Sequence, residues 1–227
     1  MYYYFLARIL ILRKGAHALM EGFFMRYAKF SAVLIGFGLV LTAQAQFIQP
    51  WNFQAPSFRS RVKDCPSTLP SPIAAYDDFV STSTTVLNVV IWWGNVNSPA
   101  QLNRRYLIAI YDNIPGACMP DLAAGPKYRA CVVPALTAPV GVDCNGNQVH
   151  VFGSFLPGGF PVAAGQQYWL QISESDIHSV TVGVDNFRWS GHMPTNGCRA
   201  LQIDAFGNII APLTGCGAIN DLAFALF

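Results

Sequence analysis

From Pro72 onward the chain nowhere sustains a helical period; short β-prone runs alternate with clusters of Gly, Pro and Asn. That punctuation restricts the chain to an all-β fold. Candidate strands are 74–79, 84–93, 105–111, 128–133, 148–155, 167–173, 179–184, 200–203 and 221–227. About nine strands without helices predict a β-sandwich. In 84–93, Val86, Asn88, Val90 and Trp92 alternate with Leu87, Val89, Ile91 and Trp93, so both faces are largely apolar and the strand is expected at the centre of a sheet. Further along, Tyr168, Leu170 and Ile172 alternate with Trp169 and Gln171, which puts Trp169 on the less buried face. Turns are expected at 112–116, at 143–147 with its Asn-Gly pair, and at Pro157-Gly158-Gly159.

The segment 25–46 reads as a secretory signal peptide. Arg26 and Lys29 form a basic start, 30–41 is apolar and uncharged, and Ala43-Gln44-Ala45 places small residues where a signal peptidase requires them. Cleavage there makes Gln46 the first mature residue. The run 30–41 is shorter than the ~20 apolar residues of a spanning helix, so no membrane association is expected after cleavage. An earlier apolar patch, 2–12, is broken by Arg8, and Met20 or Met25 is the expected natural start. The expected organisation is a leader, 1–45, carrying the signal helix; an irregular lead-in, 46–73; and the sandwich, 74–227.

Removing the leader changes the charge. Five of the 14 basic residues and one of the 12 acidic ones precede Gln46, leaving nine and 11, a net charge of −2. The remaining basic residues are scattered, so a phosphate-tracking stripe and a nucleic-acid partner are not expected. All six cysteines, Cys65, Cys118, Cys131, Cys144, Cys198 and Cys216, follow the cleavage site. An even number in an exported chain predicts disulfides. Of the possible pairings, Cys118 with Cys131 and Cys198 with Cys216 are favoured, because each pair flanks a plausible loop or hairpin. No Cys-x-x-Cys or Cys/His knuckle suggests zinc.

Ala75-Tyr76-Asp77-Asp78-Phe79, Ile91-Trp92-Trp93-Gly94 and Ile108-Ala109-Ile110-Tyr111-Asp112, followed by Pro115-Gly116, occur in an order that resembles an uncharacterised β-sandwich module. That module recurs in secreted and surface-anchored bacterial proteins. Residues 160–170 and the closing Asp221-Leu222-Ala223-Phe224 are similar to its later strands. The resemblance covers roughly 74–227 and implies a jelly-roll sandwich in an extracytoplasmic setting. It implies no reaction, and six cysteines depart from it.

Candidate chemistry is sparse. Glu174 is the one glutamate after the leader, and adjacent Asp77 and Asp78 point to opposite sides of a strand, so they do not form an acid and base pair. His150, His178 and His192 have no metal-ligand spacing, and no Gly-x-Ser-x-Gly elbow occurs. Cys144 near His150 reads better as half of a disulfide than as a nucleophile. Asp143, Asn145 and Asn147 could present oxygens to calcium, while a plain hairpin explains the same residues; no other cofactor is expected. The expected function is a secreted, non-enzymatic interaction module. Glycan or extracellular-polymer binding would use Trp93, Trp169 and Trp189 as a stacking platform, with Asp185, Asn186 and Arg188 as hydrogen-bonding partners. The alternatives are a structural or adhesive protein contacting another surface protein and, third, a hydrolase with an unrecognised carboxylate site.

Overall fold

The computed structural model describes residues 47–52, 57–62, 73–96, 102, 104–175, 187–192, 198–210 and 221–227. The expected leader and signal helix, the strand expected at 179–184, Cys65, Cys216, Asp185, Asn186 and His178 lie outside the described residues. Ala45 to Phe227 forms one compact unit. Among the described residues no helix is long and apolar enough to cross a membrane.

The strands, in chain order, are β1 (Phe47–Gln49), β2 (Ser57–Arg59), β3 (Arg61–Val62), β4 (Ile73–Val80), β5 (Thr85–Asn95), β6 (Tyr106–Asp112), β7 (Tyr128–Val132), β8 (Leu136–Val142), β9 (Gln148–Val162), β10 (Gln167–Ser175), β11 (Arg188–His192), β12 (Leu201–Asp204), β13 (Ile209–Ile210), β14 (Asp221–Leu222) and β15 (Phe224–Leu226). They build two sheets. In the first, β9 and then β8 lie on one side of β5, while β15 with β1, and β11 with β2 and β14, line its other side. The second runs β13-β12-β4-β10-β6-β7, with β3 inserted where β4 and β10 part. Every pairing is antiparallel except β3 with β10.

The core lies between the sheets. Ala75 and Phe79 of β4, Tyr106, Ile108 and Ile110 of β6, and Tyr168, Leu170 and Ile172 of β10 meet Trp92 of β5, Phe152 of β9 and Phe224 and Leu226 of β15. Trp92 stacks on Phe152 at 5.5 Å, and Tyr106 meets the Trp92 ring edge-on at 5.3 Å. Each large apolar side chain buried this way contributes about 1.5–3 kcal/mol.

Three expectations about local structure are corrected. The lead-in read as irregular supplies β1, β2 and β3; Phe47 stacks on Phe224 at 4.9 Å, because β1 pairs with the last strand of the chain. Pro157-Gly158-Gly159, read as a turn, lies inside β9. Leu87 pairs with Phe160 and Val89 with Phe155, so 156–159 bulge out and the chain returns to the same neighbour. Gly158 and Gly159 take φ of +79° and +66°, which side chains rarely adopt, and a Cβ on Gly159 would stand 2.5 Å from Val86 Cγ1. Finally, β8 escaped notice because Pro139 and Gly141 break its pattern. Among the described residues it pairs only with β9, and proline is tolerated on such an edge.

A second bulge shifts the faces of β5. The N–H groups of Asn88 and Val89 both donate to Phe227 O, at 2.6 and 3.0 Å. Leu87 therefore joins Val90 and Trp92 in the core, where strict alternation would have turned it outward.

Candidate functional site

The sequence places three tryptophans in one platform, and the structure sends them to three different environments. Trp189 alternates inward on β11; it has no exposed surface and donates its indole N–H to Ala223 O at 2.8 Å. Trp169 does face outward from β10, yet it too is 0 % exposed. The connection between β6 and β7 folds over it: Asn113 Oδ1 accepts the Trp169 indole N–H at 2.8 Å, and Cys198 joins the same buried cluster. Strand alternation reports which face a residue occupies, but not whether a loop covers that face. A stacking platform through Trp169 and Trp189 is thereby overturned.

Trp93 remains half-buried on the outer face of the first sheet. Trp92 and Gly94 turn inward, and Gly94 carries no side chain where the Phe187 ring packs. Trp93 and Asn95 consequently turn outward. Across the strands Trp93 pairs with Val151 of β9 and Val151 with Ala138 of β8, an apolar row beside the tryptophan. Asn95 pairs with Arg188 of β11, so Arg188 lies on the Trp93 face, one diagonal step away. Arg188 is half-buried. Of the candidate ligand contacts within the described residues, Trp93 and Arg188 are the two brought to one accessible face.

Trp51, which belongs to no strand, completes this surface. Its ring lies across β8 at Gly141, where a Cβ would stand 2.9 Å from Trp51 Cη2. The glycine inside an otherwise apolar run is the sequence signal for that close approach. Ile48 of β1, 56 % exposed, and Phe155 of β9, 54 % exposed, continue the face beside Trp93. Ile48 pairs with Ala225, Ala225 with Ile91, and Ile91 with Gly153, a row without a polar side chain.

The loop considered for calcium is closed on itself. Asp143 Oδ1 accepts the N–H groups of Asn145 and Asn147, at 2.9 and 2.8 Å, and Asp143 Oδ2 accepts the side-chain amides of Asn147 and Asn95, at 3.1 and 2.5 Å. N–H donors surround this carboxylate, and the three residues form a hairpin turn. The turn recurs at Asp204, whose Oδ1 accepts the N–H groups of Phe206 and Asn208. Both share the spacing Asp-x-x-Gly-Asn, with Gly146 and Gly207 at φ of +78° and +84°.

Asp77 and Asp78 separate as strand geometry requires. Asp77 enters the core, and Asp78 accepts the Gln167 side-chain amide on the outer face at 2.8 Å. Glu174 is structural: its Oε1 accepts Arg104 Nη1 and its Oε2 the Phe187 N–H, both at 2.9 Å. His150 is buried, and burial lowers its pKa. Cys144 is disulfide-bonded and supplies no thiol.

Cys118 bonds to Cys198, which corrects both favoured pairs, Cys118 with Cys131 and Cys198 with Cys216. The β6–β7 connection crosses the outer face of the second sheet toward β12 instead of closing back on β7. Cys131 is also disulfide-bonded. This oxidation indicates an oxidising, extracytoplasmic environment. No family model matches the chain, and no curated protein matches it.

Proposed function

We propose that this chain is exported, loses its leader before Gln46, and serves as a non-catalytic interaction module of jelly-roll type that binds a glycan or similar extracellular polymer on the outer face of its first sheet. The observation that carries this reading is the placement of half-buried Trp93 and Arg188 on one face, beside the Trp51 ring. An indole offers a flat apolar surface to the C–H face of a sugar, while a guanidinium supplies directed donors to hydroxyls or acidic groups.

Adhesive contact with another protein is the second reading, favoured by exposed Ile48 and Phe155 on the same face. The test is a glycan array and polymer pull-down with the chain from Gln46, produced in an oxidising compartment. Saturable binding that falls at least ~10-fold in Trp93→Ala and in Arg188→Ala, with Trp169→Phe unaffected, is the expected result. Absence of saturable binding removes the sugar reading. Protein binding lost in Ile48→Asp, with no glycan bound, transfers the function to the second reading. N-terminal sequencing of the exported product checks the leader separately.

A further inference from the structure

We infer that the Cys118–Cys198 disulfide is a selective thiol-exchange site whose reduction releases the β6–β7 connection from the outer face of the second sheet and uncovers Trp169. The inference concerns the sheet opposite the proposed binding face and does not depend on that reading.

Three observations carry it. The two sulfurs differ in access. Cys118 sits on an exposed turn, whereas Cys198 is 8 % exposed and packs with Trp169, Tyr76 and Tyr111. An incoming thiolate therefore meets the Cys118 sulfur first. Next, the departing Cys198 sulfur has a donor in place, since Gln167 Nε2 lies 3.2 Å from it. Lastly, the bond is remote from the core between the sheets. It clamps a segment held by the Asn113–Pro120 bridge and the Ile114–Met119 hydrogen bond, while Ile114, Pro115 and Gly116 stand in solvent.

The chemistry balances with an external dithiol as reductant. Its first thiolate attacks Cys118 Sγ, the sulfur–sulfur bond breaks, and Cys198 leaves with the electron pair as a thiolate. The dithiol's second sulfur then attacks the mixed disulfide, releasing the Cys118 thiolate and forming the oxidised dithiol. Both cysteine thiolates take up protons.

The outer side of β10 carries a hydrogen-bonded row of its own. The Tyr111 hydroxyl donates to Gln171 Oε1 at 2.9 Å, Gln171 Nε2 donates to Ser173 Oγ at 3.0 Å, and the Ser173 and Ser60 hydroxyls share a hydrogen bond at 2.7 Å. None of these bonds involves the covering segment. Its polar link to the tryptophan is Asn113.

The experiment is graded reduction of the folded chain with a dithiol, followed by alkylation, peptide mapping and far-ultraviolet circular dichroism. Cys118 and Cys198 should be alkylated on the order of tenfold faster than Cys131 and Cys144. Acrylamide quenching of the tryptophan emission should rise with the same rate constant, with the β spectrum retained, and the rise should be missing in Trp169→Phe. Gln167→Leu should slow the exchange several-fold. Reduction of all the bonds in one step together with loss of the β spectrum, or alkylation of Cys131 and Cys144 first, overturns the inference. A Cys118→Ser/Cys198→Ser variant should show the quenching of the reduced protein without any reductant. If that variant does not fold, the graded reduction still decides.

Discussion

Asp77 Oδ2 of β4 accepts the backbone N–H of Leu222 in β14 at 2.6 Å, so a side chain from one sheet holds the main chain of the other across the core. Its second oxygen accepts the Asp78 N–H at 3.0 Å. Burial raises the Asp77 carboxyl well above the ordinary carboxylate range, and the like charges of Asp221 and Asp78 add to the rise, against the lowering effect of the two N–H donors. The neutral form is thus favoured in the folded state. Since the folded pKa exceeds the unfolded one, this contribution to stability is complete below the ordinary carboxylate range and is lost as pH rises toward the folded value.

Denaturant midpoints should therefore fall as pH is raised from about 4. Asp77→Asn keeps an acceptor for Leu222 without a charge and should flatten that slope. Equal slopes in both proteins would refute the assignment. Asp77→Ala leaves the Leu222 N–H buried without its acceptor and should cost about 1–3 kcal/mol in urea unfolding.

Glu174 joins β10 to Arg104, two residues before β6, and to Phe187, the residue before β11. Glu174→Ala should destabilise by about 3–5 kcal/mol, because a buried N–H and a partly buried guanidinium lose their partner together. Glu174→Gln should lose less. Equilibrium unfolding in urea measures both.

The bulge in β9 separates two neighbouring glycines. Gly158 has a positive φ but no atom near its absent side chain, whereas Gly159 combines positive φ with contact to Val86. Alanine at 158 should cost ~1 kcal/mol from backbone strain alone. At 159 the cost should exceed that by a further 1–3 kcal/mol or so from overpacking. Equal melting temperatures for the two variants would contradict the bulge geometry.

Calcium at about 5 mM, above the affinity range of extracellular calcium modules, should leave the melting temperature unchanged, because N–H donors already occupy the Asp143 oxygens. Asp143→Ala should lower stability by about 1–2 kcal/mol through loss of the turn. A calcium-dependent rise in melting temperature that Asp143→Ala abolishes would reverse this reading.

Much of the local structure was legible because its causes are local. The runs in β4, β6 and β10 alternate with their own side chains, and the turn at Asp143 is written in the reach of one carboxylate to the N–H groups two and four residues on. The candidate site was only partly legible. Trp93 and Arg188, candidates in the sequence, share one face of the first sheet, whereas nothing local ties Trp51 to them, since its contact with Gly141 joins residues 90 apart in the chain. β8 was missed for a related reason: proline and glycine argue against a strand until its edge position is known.

By itself the sequence determined the all-β class, the side of its strand on which Trp169 lies, and the turn at Asp143. Each follows from steric and hydrogen-bonding rules acting over a few residues. Tertiary structure alone decided which outward faces stay open and which cysteines join. Trp169 is covered because the β6–β7 connection crosses its sheet, and Cys118 reaches Cys198, 80 positions away, by that same crossing. The path of a loop over a sheet depends on what the far side of the molecule offers it to pack against, and a local pattern carries no record of that.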